Sequence, residues 1–179
     1  AESLAYMPGF GIASAASAII GQCVGAGRKT LTRSLAWRIE LAGITVMSVM
    51  GITLWLLAPA LMQLLSVDAA AQNLGTRVLR IEAFAEPMYG AAIVATGILR
   101  GKGDTLWPTI ISLVSNWGLR IPFAAAMTGY GLSGVWFAMA FELNCRGLLF
   151  LFRLYRSFPK DRIASSDSTQ TQNTGPATA

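Results

Sequence analysis

Apolar positions in this chain do not alternate with polar ones; they run on. No charge interrupts Ser3 to Gly27, a stretch of 25 residues, or Leu41 to Val67, a stretch of 27. About 20 apolar residues cross the hydrocarbon core of a bilayer as a helix. In lipid every backbone N–H and C=O must be bonded within the segment, so runs of this kind are helical. The pattern predicts an all-α integral membrane protein with five transmembrane helices, at about residues 4–24, 39–65, 81–99, 106–127 and 132–152. Pro59, late in the second span, is expected to end or kink it. Asp104 or Thr105 is expected to cap the fourth, with Pro108 in its first turn. Gly129-Tyr130-Gly131 predicts a tight turn into the fifth.

Composition agrees with this reading. Hydrophobic residues make up 54% and charged residues 13%, against about 25% charged in soluble domains. The formal charge of +5 would hint at nucleic acid in a soluble protein. Here its distribution explains it better, and no nucleic-acid partner is expected. Arg28, Lys29, Arg33 and Arg38 lie between the first two spans, Arg100 and Lys102 between the third and fourth, and Arg153, Arg156, Lys160 and Arg162 after the fifth. The intervening connections carry only Arg77 and Arg80, or nothing. The positive-inside rule puts the first group of connections and the C-terminus in the cytoplasm, and the N-terminal end outside. An odd number of spans that starts outside, with no initiator Met, reads as the continuation of an upstream segment. Residues 158–179 end in ASSDSTQTQNTGPATA, too polar to offset the entropy of ordering, and predict a disordered cytoplasmic tail.

The candidate chemistry is the set of ionisable residues inside spans, because each is costly there and faces a cavity or a partner. Glu82 and Glu86 share one helical face at a spacing of four. Two readings stay open: a cation or proton site, with Na+ near Glu86 as one option, or an interfacial pair matched to Arg77 and Arg80. Asn116 and Arg120 repeat the same spacing in the fourth span, and Glu142 at the middle of the fifth is a partner for Arg120, with Arg146 one turn on. These are expected to line the interior, as a packing network or a substrate contact. The glycines of Arg100-Gly-Lys-Gly-Asp-Thr105 do not have P-loop spacing and predict a structural turn. With no His and two isolated cysteines, Cys23 and Cys145, no zinc or haem site and no cofactor is expected. No nucleophile–base pair argues for an enzyme.

Three stretches, in order, carry a family resemblance: MPGFGIASAASAIIGQCVGAGR, ILRGKGDTLWPT and GYGLSGVWFAMAF. Together they resemble the C-terminal lobe of the multidrug and toxic compound extrusion (MATE) transporters. The resemblance implies that residues 1–157 are part of one lobe, helices eight to twelve of a twelve-helix, two-lobe antiporter. The implied partners are the lipid bilayer, a small cationic substrate and an N-terminal lobe not in this chain. The implied activity is export of cationic organic compounds in exchange for Na+ or H+, in a bacterial inner membrane. The family's carboxylate in this helix falls where this chain has Tyr89, one turn after Glu86, so Tyr89 joins the candidates as a hydroxyl or ring face. Two alternatives remain: a flippase for lipid-linked oligosaccharides of related architecture, or a membrane fragment that does not transport.

Overall fold

The computed structural model describes residues 2–158. Its helices are α1 (Glu2–Gly25), α2 (Lys29–Leu65), α3 (Ala69–Gly101), α4 (Leu106–Val114), α5 (Ile121–Ala126) and α6 (Gly131–Ser157). A π-helical segment, Ser115–Arg120, joins α4 to α5, and a 3₁₀ turn, Thr128–Tyr130, joins α5 to α6. No strand occurs among the described residues.

The long helices overrun the predicted spans because their ends are polar but still helical. α2 begins at Lys29 rather than Ile39 and continues through Pro59 to Leu65. α3 begins at Ala69 rather than Ile81, where the Asp68 carboxylate accepts from the amides of Ala70 and Ala71 at 3.2 and 3.3 Å. That is a side-chain N-cap. The cap expected for α4 is not formed: Thr105 makes no capping bond, and Asp104 binds Arg153 instead. Of the predicted tail, Phe158 is buried against the core, and 159–179 lie outside the described residues.

α3 is the central rod, packed by α2, α6 and α1. From Gly90 to Leu99 its residues are buried, apart from the half-buried Thr96. α2 runs antiparallel to it, with Gly43 at Val94 and Gly75 at Met62. α1 and α6 run parallel to it, with Ala13 at Gly97 and Met88 at Gly147. The last two are backbone approaches. A Cβ on Gly97 would lie 2.2 Å from the Ala13 carbonyl oxygen, and one on Gly147 would lie 2.4 Å from that of Met88. Small residues set helix distance in this way where no hydrophobic force acts between helices in lipid.

Among the described residues, three helices are long and apolar enough to cross a membrane: the Ala5–Gly25 part of α1, α2 and α6. α3 is not one of them, since it carries Glu82, Glu86 and a run of small residues and is screened by its neighbours. The fourth expected span is delivered in pieces. Pro122 has no N–H to give to Gly118, so the α pattern fails one turn upstream and the π segment takes up the difference.

The turn between α3 and α4 is clamped to the end of α6. The Lys102 ammonium donates to the carbonyl and hydroxyl of Ser157 and lies over the Phe158 ring. Arg153 binds Asp104 at 2.5 Å and covers Trp107 at 4.8 Å. Burial, and then the positive charge of Arg153, lower the Lys102 proton affinity below its ordinary 10.5, while Asp104 opposes them. The unfolded chain therefore holds that proton more tightly. The clamp gains stability as pH rises from the folded value toward 10.5, where the penalty ends. Replacing Arg153 by Gln is expected to move the Lys102 titration upward, read by NMR at its Cε. An unmoved titration would remove Arg153 as a cause.

Candidate transport cavity

α1, α3, α4 and α6 line an open cleft of about 460 Å³. α1 contributes Phe10, Ser14 and Ser17, whose spacing puts them on one face. α3 contributes Tyr89, Thr96 and Arg100; α4 gives Ser112; α6 gives Arg146 and Phe150. Aromatic rings gather at one end: Tyr6 meets Tyr89 edge-on at 5.8 Å and Phe10 at 5.9 Å.

Behind this wall is a polar network. Glu142 is 1% exposed, and its Oε1 accepts from the Ser115 hydroxyl at 2.5 Å. The Nε of Arg146 approaches the same oxygen at 3.4 Å, one turn along α6. The other oxygen of Glu142 has no hydrogen-bond partner among the described residues. The Arg146 guanidinium lies over the Tyr89 ring, 5.5 Å from its centroid. Two glutamate-facing groups thus come from different helices, Ser115 from the first turn of the π segment and Arg146 from α6.

The six candidates from the sequence separate into four places. Tyr89 lines the cavity, and Glu142 sits directly behind it through Arg146. Glu82 and Glu86 are 4% and 2% exposed and do not line it. Glu86 packs toward Gly51 of α2. Arg80 stacks on Trp55 at 4.9 Å. Arg120 does not reach Glu142; it donates to the Met139 sulfur at 2.7 Å. Asn116 is exposed on the surface of this chain. Both residues lie in the π-helical segment between α4 and α5, whose i→i+5 bonding departs from the α pattern. Among the described residues no cluster of three or more His, Cys, Asp or Glu could hold a metal ion.

Two residues escaped the sequence reading. Ser115 carries no signal of its own beside Asn116. Glu40 is 1% exposed on the buried stripe of α2, and neither of its carboxylate oxygens has a hydrogen-bond partner among the described residues. Its signal was present: it borders the uncharged run that starts at Leu41 and looks interfacial only if α2 is started at Ile39.

The family model MatE matches residues 1–126, from α1 through α5. The chain belongs to the MatE family. It is 29% identical over 151 residues to the probable multidrug resistance protein NorM of Thermotoga maritima, covering 83% of this chain and 32% of that protein. It is 33% identical over 165 residues to the probable NorM of Deinococcus radiodurans, covering 85% and 36%. The multidrug resistance protein NorM of Burkholderia vietnamiensis is 30% identical over 161 residues, covering 86% and 35%. The chain thus spans about a third of the length of the curated relatives it matches. As a MatE protein it is an integral membrane protein of helical type. Its α6, with Glu142 and Arg146, lies beyond the stretch that the MatE model matches.

Proposed function

We propose that this chain forms part of the C-terminal lobe of a multidrug efflux antiporter that works by alternating access, with a complementary N-terminal lobe closing the cavity from the other side. The observation that carries the reading is the burial of Glu82 and Glu86 in α3, the helix at the centre of the lobe. Carboxylates are retained inside a membrane where a cation or proton must be bound and released. Na+ or H+ entering from outside is the coupling ion, and binding at these carboxylates shifts the lobes between outward and inward states. The C-terminus is cytoplasmic and the membrane is a bacterial inner membrane, in keeping with the basic clusters at Arg28–Arg38 and Arg153–Arg162. The chemistry is transport and not catalysis.

The test is Glu86→Gln in a transporter assembled from this lobe and its complement. Efflux of a fluorescent drug is expected to fall by about tenfold or more with membrane expression unchanged, the outcome of removing a charge whose ion contact is worth about 1.5–3 kcal/mol. Normal resistance in that variant would end the coupling role of Glu86.

A further inference from the structure

We propose that the open groove between α2 and α3 binds one anionic phospholipid, with its phosphate at Arg80 and Arg77 and an acyl chain along the groove. The groove holds about 290 Å³ and is walled by Ser48, Ile52 and Trp55 of α2 and by Phe84 and Pro87 of α3. Its floor is Gly51 and Ala83, where the two helices touch: a Cβ on Gly51 would lie 2.7 Å from the Ala83 carbonyl oxygen. Each wall is a stripe. Ser48, Ile52 and Trp55 follow at spacings of four and three, and Arg77, Arg80, Phe84 and Pro87 at three, four and three, so each set shares one helical face. Phe84 is 80% exposed and Ile52 is 62% exposed. The groove is therefore apolar along its length and cationic at one end.

The depth of that end fits a headgroup. Arg80 and Arg100 are 20 residues apart on α3, about 30 Å along the axis, which is the thickness of the hydrocarbon core. With Arg100 at one face of the bilayer, Arg80 stands at the other. From Arg80 the groove descends seven residues to Pro87, about 10 Å, within a leaflet of about 15 Å. The charge fits a phosphate. Neither Arg77 nor Arg80 has an ion-pair partner among the described residues. The Arg80 guanidinium lies over the Trp55 ring at 4.9 Å, so it is held by its face and keeps its edge for the paired hydrogen bonds that arginine gives a phosphate. A packed helix would bury both arginines without a counter-charge, and a second copy of this groove would add two more. A phospholipid brings the counter-charge and the chain together. A zwitterionic headgroup would also set an ammonium against the two arginines, so the anionic lipid is preferred.

The experiment is native mass spectrometry of this chain, released from vesicles of equal phosphatidylglycerol and phosphatidylcholine with matched acyl chains. One phosphatidylglycerol is expected to stay bound, favoured over phosphatidylcholine by about tenfold or more, as two arginines at the surface imply. Arg80→Gln is expected to remove most of that preference, and Arg77→Gln a smaller part. Ile52→Trp keeps both charges but fills the groove, and is expected to cut retention of the lipid about tenfold. All three positions are exposed, so the helical fold, followed by circular dichroism, is expected to hold. Glycerol phosphate in excess is expected not to displace the lipid, because the acyl chain contributes to binding. Equal retention of the two lipids, or retention of phosphatidylglycerol indifferent to both Arg80→Gln and Ile52→Trp, overturns the site. Displacement by glycerol phosphate overturns the role of the groove, and a dimer lost in Ile52→Trp assigns the groove to a second copy instead.

Discussion

Gly97→Val is expected to prevent the lobe from packing. The added Cβ alone would stand 2.2 Å from the Ala13 carbonyl oxygen and 2.8 Å from the Ala13 Cα. Backbone cannot rotate away as a side chain can, so α1 and α3 must separate and lose contact along their shared length. The cost is about 3 kcal/mol or more, at the upper end of what overpacking does. Gly97→Ala, which adds the same Cβ, is expected to carry most of that loss. Gly11→Ala is the control: it has open space around it on the same α1 helix. There the better helix propensity of Ala is expected to add about 0.5–1 kcal/mol. Thermal unfolding in detergent, followed by circular dichroism, separates the three. A Gly97→Val variant that melts with the parent would mean that α1 and α3 do not touch at this level.

Glu142→Ala is expected to be the most damaging change among the polar groups. It removes the acceptor of Ser115 and the counter-charge of Arg146 together. Breaking a buried pair from one side costs about 3 kcal/mol, because the remaining charge stays desolvated. Glu142→Gln keeps an oxygen for Ser115 but also removes the counter-charge of Arg146, so it is expected to cost about 1 kcal/mol less than Ala. The same unfolding assay decides between them. Equal losses from Ala and Gln would place the whole contribution in the ion pair, and no loss from either would dissolve the network.

The helical class and the membrane were legible because uncharged runs longer than a bilayer leave the backbone no other choice. The turn sequence Arg100–Thr105 was legible as structure, though the partners of Lys102 and Asp104 on α6 were not, since they lie far along the chain. At the cavity, Tyr89 and Glu142 could be singled out by residue type inside an apolar run. What local spacing could not show was the widened turn at Ser115–Arg120. There Asn116 is exposed, and Arg120 donates to Met139 rather than to Glu142. Glu40 was missed for a related reason: a helix can continue past the point where its surface turns polar, and the true start of α2 put that carboxylate inside.

The placement of α3 also bears on how the protein enters a membrane during synthesis. Of the long helices it is the one without a span apolar enough to partition by itself, and each central charge costs about 2.5–3.5 kcal/mol on insertion scales. Its predecessor α2 has an uncharged stretch from Leu41 to Leu65 that can span by itself, and its Gly51 lies against Glu86. The ribosome therefore delivers the solvent before the solute: α2 is in the bilayer when α3 emerges, and the pair settles as a hairpin. A helix that can span by itself escorts one that cannot.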